Sequence, residues 1–258
     1  MDNKTFWGPD HDFPRYLSPR IFASCDGKYA QAHGSALCMS AARAGYHTIL
    51  HVVNATKLEQ DFLSLMVSRK NLCNLVTVEY GSQWLGAIQP DELRTYYAID
   101  RFLSAANIMR QSPGPLYIVD VDCLIMSRLD WPVESIGLFF RDALPGTTGW
   151  EAEGTKIAAG LVYVNGLSGT TFLERVCDEI LKRPLRWFVD QVALNIVARD
   201  LTGRGAAIHH FTAADLDWEF KSGTKIWTGK GSRKHENATY LAKKKEFEDM
   251  ISPERYDS

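Results

Sequence analysis

Eleven consecutive residues restrict this chain more than any others. Leu116-Tyr117-Ile118-Val119 and Leu124-Ile125-Met126 are apolar, and near the middle stand two carboxylates one residue apart, Asp120 and Asp122. A short apolar run rich in β-branched and aromatic residues is the pattern of a strand buried on both faces, as in a helix-covered parallel sheet. A carboxylate is costly to withdraw from water without a partner, so a pair at the end of such a strand calls for one. Two readings are open. Hard oxygen ligands of this kind suit Mg2+ or Mn2+ shared with a phosphate; a strand end with two solvated acids needs no ligand. The spacing alone does not choose, because Asp10/Asp12 and Asp215/Asp217 repeat it with no strand in front.

The rest of the first half supplies the context for such a strand. Short apolar runs at 20–25, 48–53 and 74–79 alternate with helical patterns at 31–45, 57–70 and 91–110, the signature of βαβ units and a parallel sheet. After Met126 the pattern becomes mixed: strands at 135–142, 157–164 and near 206–210, and helices at about 168–182 and 189–200. Lys221 to Lys245 carries eight Lys or Arg against one acid. The 258 residues admit one large domain or two small ones. No repeat or linker divides them, so a single domain is expected, with a nucleotide-binding half at about 20–125 and an acceptor and catalytic half at about 126–235.

Composition removes several classes. A net charge of -2 gives no global basic field for nucleic acid. The five cysteines are scattered, odd in number and never C-x-x-C, which argues against a disulfide framework or zinc site and suits a reducing cytosol. No apolar run reaches the roughly 18 residues of a membrane span, and the first residues lack the apolar core of a signal peptide. A cytoplasmic protein without a transmembrane segment is expected, with the basic stretch as a potential peripheral contact with a membrane surface.

Four blocks, in order over about residues 20–235, give the chain a family resemblance. They are Phe22-Ala23-Ser24-Cys25-Asp26-Gly27-Lys28-Tyr29, Tyr117-Ile118-Val119-Asp120-Val121-Asp122, Ala158-Ala159-Gly160 leading to Val164-Asn165, and Asp190-Gln191-Val192-Ala193-Leu194-Asn195. Together they resemble the nucleotide-diphosphosugar glycosyltransferases of the GT-A fold, most closely family 8. The resemblance implies a GT-A type α/β fold, Rossmann-like, with a mixed but mostly parallel central sheet flanked by helices. It implies transfer of a hexose from a UDP-sugar to a glycan or other hydroxyl acceptor, with Mn2+ or Mg2+ held by Asp120 and Asp122, and retention of configuration if the family is followed.

The same resemblance assigns the donor site. Ala23, Cys25, Asp26, Tyr29, Arg101, Asp120, Val121, Gly160 and Lys230 would bind the nucleotide-sugar, Asp26 meeting the uracil or ribose and Tyr29 stacking on the base. Asp190 and Gln191 would lie beside the transferred sugar as the catalytic pair. Asp190 also reads as a helix N-cap, for which aspartate is favoured. Trp227 to Lys234 stands where the family carries H-x-x-G-x-x-K-P-W, and its glycines and Lys230 suit a diphosphate clamp.

The chain departs from the family at three places. Ile226 or Thr228 stands where a metal-binding histidine is expected, Ala158 where asparagine is usual, and Ile99 where arginine is usual, with Arg94 or Arg101 available instead. These departures favour, as a second reading, a nucleotide-sugar-binding protein that has lost catalysis. A third is a haloacid-dehalogenase-type phosphohydrolase, whose first aspartate attacks phosphorus; there the residue two after the second aspartate is a Thr or Val, and here it is Leu124. Trp150, Glu151 and Glu153 could line an acceptor site from a 141–156 loop, and Phe6-Trp7 and Phe13-Pro14 could cover an edge of the domain.

Overall fold

The computed structural model describes residues 3–7, 19–70, 73–79 and 90–251; Asp10, Asp12 and Phe13-Pro14 lie outside them. The first half runs β1 (Asn3–Trp7), β2 (Arg20–Asp26), α1 (Gly27–Tyr29), a π-helical turn (Ala30–Gly34), α2 (Ser35–Arg43), β3 (His47–Val53), α3 (Lys57–Lys70), β4 (Cys73–Glu79), α4 (Pro90–Gln111) and β5 (Leu116–Val119). The second half runs β6 (Cys123–Ile125), β7 (Ile136–Phe140), α5 (Gly149–Thr155), β8 (Ile157–Val164), α6 (Gly166–Leu181), α7 (Val189–Gly203), β9 (His209–His210), β10 (Leu216–Asp217), β11 (Ile226–Thr228), α8 (Arg233–Glu236) and α9 (Ala238–Asp249).

Eight strands from both halves form one sheet in the order β1-β4-β3-β2-β5-β8-β7-β9. β4, β3, β2 and β5 are parallel, whereas β8 runs antiparallel to β5 and β7. β1 pairs antiparallel with β4, so the segment holding Phe6 and Trp7 covers that edge with backbone hydrogen bonds. Strand periodicity explains the two cores. Ile21, Ala23, Cys25, Tyr117 and Val119 face α2, while Phe22, Leu116 and Ile118 face α4, α6 and α7. Alternate residues of each strand therefore fill opposite layers.

Strand order places the site. After β2 the chain moves outward through β3 and β4, then returns to β5 on the other side of β2. Their parallel ends lie side by side at a topological switch point, where open α/β sheets bind ligands. Arg20, with no exposed surface, clamps the approach to β5 by donating to the carbonyls of Ser112 (2.8 Å) and Gly114 (3.1 Å).

Two expectations need correction. The strand expected at 116–122 ends at Val119, and Cys123 N–H donates to Asp120 O (3.1 Å) across a turn. Continuing the ladder would bury both carboxylates; the turn lets them face a cavity. The segment 141–156 is not wholly a loop, since it contains α5.

A small second sheet, β10-β11-β6, covers this turn. The Asp122 carbonyl accepts from Gly229 N–H (3.1 Å) and the Tyr240 hydroxyl (2.8 Å), which pins the turn to the C-terminal segment. Gly229 is needed there, because a Cβ would stand 2.7 Å from Lys234 Cβ.

His33, in the π-helical turn beneath this region, is 5% exposed, and its Nδ1 has no hydrogen-bond partner among the described residues. Burial, then Lys244 and Lys234, lower its pKa from 6.5 to about 3. The unfolded chain therefore takes up a proton below pH 6.5 that the folded chain refuses. Stability from this group is complete above pH 6.5, falls as pH drops toward 3, and levels below. A His33→Asn protein should show a shallower loss of stability over that window in urea titrations. An unchanged slope would remove His33 as a cause.

Candidate active site

A cavity of about 420 Å³ opens at the carboxyl ends of β2 and β5, lined by both strand ends, α4, the start of α7 and the Lys230–Lys234 segment. A larger depression of about 580 Å³ lies between α9 and β11. Its ionisable lining is Lys243 and Glu246, which already pair with each other (2.7 Å). The charged side chains therefore gather in the smaller cavity.

Arg101 is its central residue. Projecting from α4, the guanidinium donates one nitrogen to Asp120 Oδ1 and another to Asp190 Oδ2 (2.8 Å), and its side chain is only 8% exposed. The fork geometry of guanidinium suits a double contact that a lysine ammonium would meet poorly. Burial lowers the Arg101 pKa, but Asp120 and Asp190 more than reverse this, so the net direction is upward. Of the two arginines offered as substitutes at Ile99, both line the cavity and Arg101 makes the bridge. Ile99 itself is buried in the core.

Asp122 has a separate partner. Its Oδ2 accepts from the Tyr29 hydroxyl (2.6 Å) and Lys234 Nζ (3.0 Å), while Lys234 also donates to the Tyr29 hydroxyl. Burial first and Asp122 second raise the Tyr29 pKa, so the phenol stays protonated and donates. The ring expected to stack on a base lines the cavity, with Lys234 Nζ beyond its hydroxyl and the His33 ring centre 4.7 Å away. Tyr97, half-buried on α4 near Asp26, offers another aromatic surface to the cavity.

Asp26 caps α1, its Oδ1 accepting from Tyr29 N–H (2.7 Å). Cys25 and Val121 line the cavity, whereas Ala23 is wholly buried in the core and does not reach it. Ala23 shares a face of β2 with Cys25 but lies two residues deeper in the strand, behind its carboxyl end. Gly160 stands against the Asp120–Asp122 turn, where an added Cβ would lie 2.8 Å from Asp120 Oδ2.

Asp190 is not the cap of α7. The cap position is Phe188, at φ 73°, and the Asp190 carboxylate turns to Arg101 instead. A non-glycine residue in this region is strained, and Phe188 packs so tightly on Gly154 that an added Cβ would meet its Cβ at 2.5 Å. The Gln191 amide hydrogen-bonds best with its nitrogen toward the carbonyls of Ile157 (2.6 Å) and Gly154 (3.0 Å), which anchors α7 to the α5–β8 region.

The 141–156 segment braces the site from outside. Trp150 Nε1 donates to the Trp187 carbonyl (2.8 Å), and Glu153 accepts from Asn195 (2.7 Å) and pairs with Lys156; Glu151 is exposed. Trp187 itself lines the cavity, with the Arg94 guanidinium 4.3 Å from its ring centre. Sequence reasoning missed Trp187 and Lys234. Trp187 carries no periodic signal, but Lys234 stands three residues after Gly231, the G-x-x-K register of the family's C-terminal element.

No family model matches this sequence, and no curated protein is found similar to it. Solved structures are. The galactosyltransferase LgtC, in complex with donor and acceptor sugar analogues, matches with a TM-score of 0.58 at 10% identity, over 91% of this chain and 95% of that one. GlyE of Streptococcus pneumoniae, a glycosyltransferase, matches with 0.54 at 12% identity, over 90% and 62%. The bifunctional glycosyltransferase WbbM matches with 0.52 at 12% identity, over 94% of this chain and 46% of that one.

Removing Arg101 would strand Asp190, whose side chain is 5% exposed. Arg101→Met should cost about 3–5 kcal/mol of stability, the usual result of leaving a buried charge unpaired. Arg101→Lys, which keeps one charge but not the fork, should lie between it and the parent. Urea unfolding measures both, and equal stability of all three would show that the bridge does not hold the site together. Its strand order, its antiparallel β8 and these matches give the chain the fold of GT-A glycosyltransferases resembling family 8.

Proposed function

We propose that this protein is a transferase that moves a hexose from a nucleoside diphosphosugar to a hydroxyl acceptor, uridine being the base favoured by the family resemblance. The observation that carries the reading is the convergence of Asp120 and Asp122 with Arg101 and Lys234 at the switch point. The two sequence halves act as one domain in this reading, because their strands share the sheet that builds the cavity.

The carboxylate pair suits a divalent cation in kind. Among the described residues no donor meets Asp120 Oδ2 or Asp122 Oδ1, so each carboxylate keeps one oxygen for a ligand. No third His, Cys, Asp or Glu joins them among the described residues, and Ile226 and Thr228, either of which stands in the place of the family's histidine, are both buried. Mg2+ or Mn2+ is commonly held by one or two carboxylates, with substrate phosphates and water completing the shell. When bound, such an ion stabilises negative charge on the departing diphosphate.

The protein's own groups act around that event. Lys234 holds a positive charge beside Asp122, where the diphosphate would rest, and Lys230 adds a second at the cavity wall. Fixed charges aimed at developing negative charge lower a barrier without reorganisation cost. Asp26, Tyr97 and Arg94 suit the nucleoside end, and Asp190 the sugar.

The ion pairs bear on stereochemistry. An inverting transfer needs a base to take the acceptor proton. Asp120 and Asp190 are both ion-paired with Arg101, and Asp122 with Lys234, so each already accepts from a cation. This favours retention, with Asp190 as an orienting charge beside the sugar rather than the base. The phosphohydrolase reading loses support for a related reason, since its attacking aspartate would be the one paired with Arg101.

A thermal-shift panel of UDP, GDP and CDP, with and without Mn2+, tests the donor site. Stabilisation by one nucleotide, larger with Mn2+, is expected, and Lys234→Met should abolish most of it. Release of free sugar from the matching nucleotide-sugar then separates an enzyme from a binding protein. No response to any nucleotide would overturn the reading.

A further inference from the structure

Trp187 stands in the turn between α6 and α7 and lines the cavity, yet it is 39% exposed. Three contacts hold it there. The Arg94 guanidinium lies over the indole, 4.3 Å from its ring centre. The Trp187 carbonyl accepts from Trp150 Nε1 (2.8 Å), and the next residue, Phe188, is fixed at φ 73° against Gly154. A lone exposed apolar side chain is ordinary on a protein surface. One anchored through its ring and its backbone, at the lip of a polar cavity, presents a rigid flat surface.

Its place follows from α4. Arg94, Tyr97, Ala98 and Arg101 line the cavity at helical spacing. Arg94 and Arg101 stand about 10 Å apart along the helix axis. Arg101 meets Asp190, which is 4% exposed, and Arg94 meets Trp187. Trp187 therefore lies outward of Asp190, between the carboxylate placed beside the donor sugar and the solvent from which an acceptor arrives. Among the described residues, none of its hydrogen bonds or ring contacts is with Asp26, the Asp120–Asp122 turn or Lys234.

The surroundings define the ligand. A pyranose carries C–H groups on a face and hydroxyls around its edge, an apolar surface with a polar rim. Trp187 offers the matching pattern, an indole face beside two exposed guanidinium groups, Arg94 over the ring and Arg186 directly before it in the chain. A hydrocarbon chain laid on the same surface would draw those charges out of water with nothing to pair them.

We propose that Trp187 is the platform on which the acceptor stacks, so that the hydroxyl to be glycosylated belongs to a carbohydrate ring. The inference deepens the reading of the cavity as a nucleoside diphosphosugar site and rests on it.

Saturation-transfer NMR on the protein loaded with UDP and Mg2+ tests it. The probes are the methyl glycosides of glucose, galactose, mannose and N-acetylglucosamine, with hexanol and a short serine peptide for comparison. At least one glycoside should receive saturation, strongest on the C–H groups of one ring face. Trp187→Ala should weaken its binding about tenfold, the scale of one aromatic contact, and Trp187→Phe should restore part of the loss. Calorimetry should find UDP affinity unchanged in Trp187→Ala, which also shows the donor site intact.

Equal glycoside binding by the parent and Trp187→Ala proteins overturns the inference, as does binding of no glycoside at all. Weaker UDP binding by Trp187→Ala also overturns it, because the indole would then serve the base. Trp187-dependent binding of hexanol or the peptide in preference to every glycoside contradicts the carbohydrate assignment. If UDP does not bind the parent protein, the nucleotide reading fails first and takes this inference with it.

Discussion

The site depends on one guanidinium. Arg101 reaches from α4 to the turn after β5 and to the first turn of α7, joining Asp120 to Asp190 across the seam between the two sequence halves. Each carboxylate alone would be expensive to place at the rim of an apolar sheet. Held by one planar, permanently charged group, the two become fixed points on the cavity wall. A second, independent pair, Asp122 with Lys234, fixes the other end of the turn.

The backbone serves the same end. A parallel sheet that reverses direction at β2 brings two strand termini together, and the small sheet with α9 closes over them through Gly229 and Tyr240. The left-handed Phe188 is the local cost of this arrangement: it opens α7 with Asp190 turned toward Arg101 instead of toward its own helix. Strain persists where surrounding packing imposes it, and here Gly154 leaves the space that Phe188 occupies.

Much of this was legible in the residues. Short continuous apolar runs alternating with helical patterns marked the strands that carry the site, and the carboxylate pair after Val119 marked its position. What remained hidden had physical reasons. Ala23 has the same parity as Cys25, so only the depth of the cavity along β2, which a sequence does not reveal, separates the two. Tyr29 was visible as an aromatic beside Asp26, but its hydroxyl contact with Asp122 joins residues 93 positions apart. The pairing of Lys234 with Asp122 spans 112 positions, and only the G-x-x-K spacing hinted at it. Trp187 reaches the cavity because the turn before α7 is held by Trp150 and Gly154, an effect of packing with no periodicity to reveal it.

The most direct test of the account is a crystal structure of the protein soaked with a nucleoside diphosphate and Mn2+. The account predicts the diphosphate between the Asp120–Asp122 turn and Lys234, with the base toward Tyr97 and Asp26. A nucleotide seated instead in the depression between α9 and β11, beside Trp227 and Lys243, would contradict it.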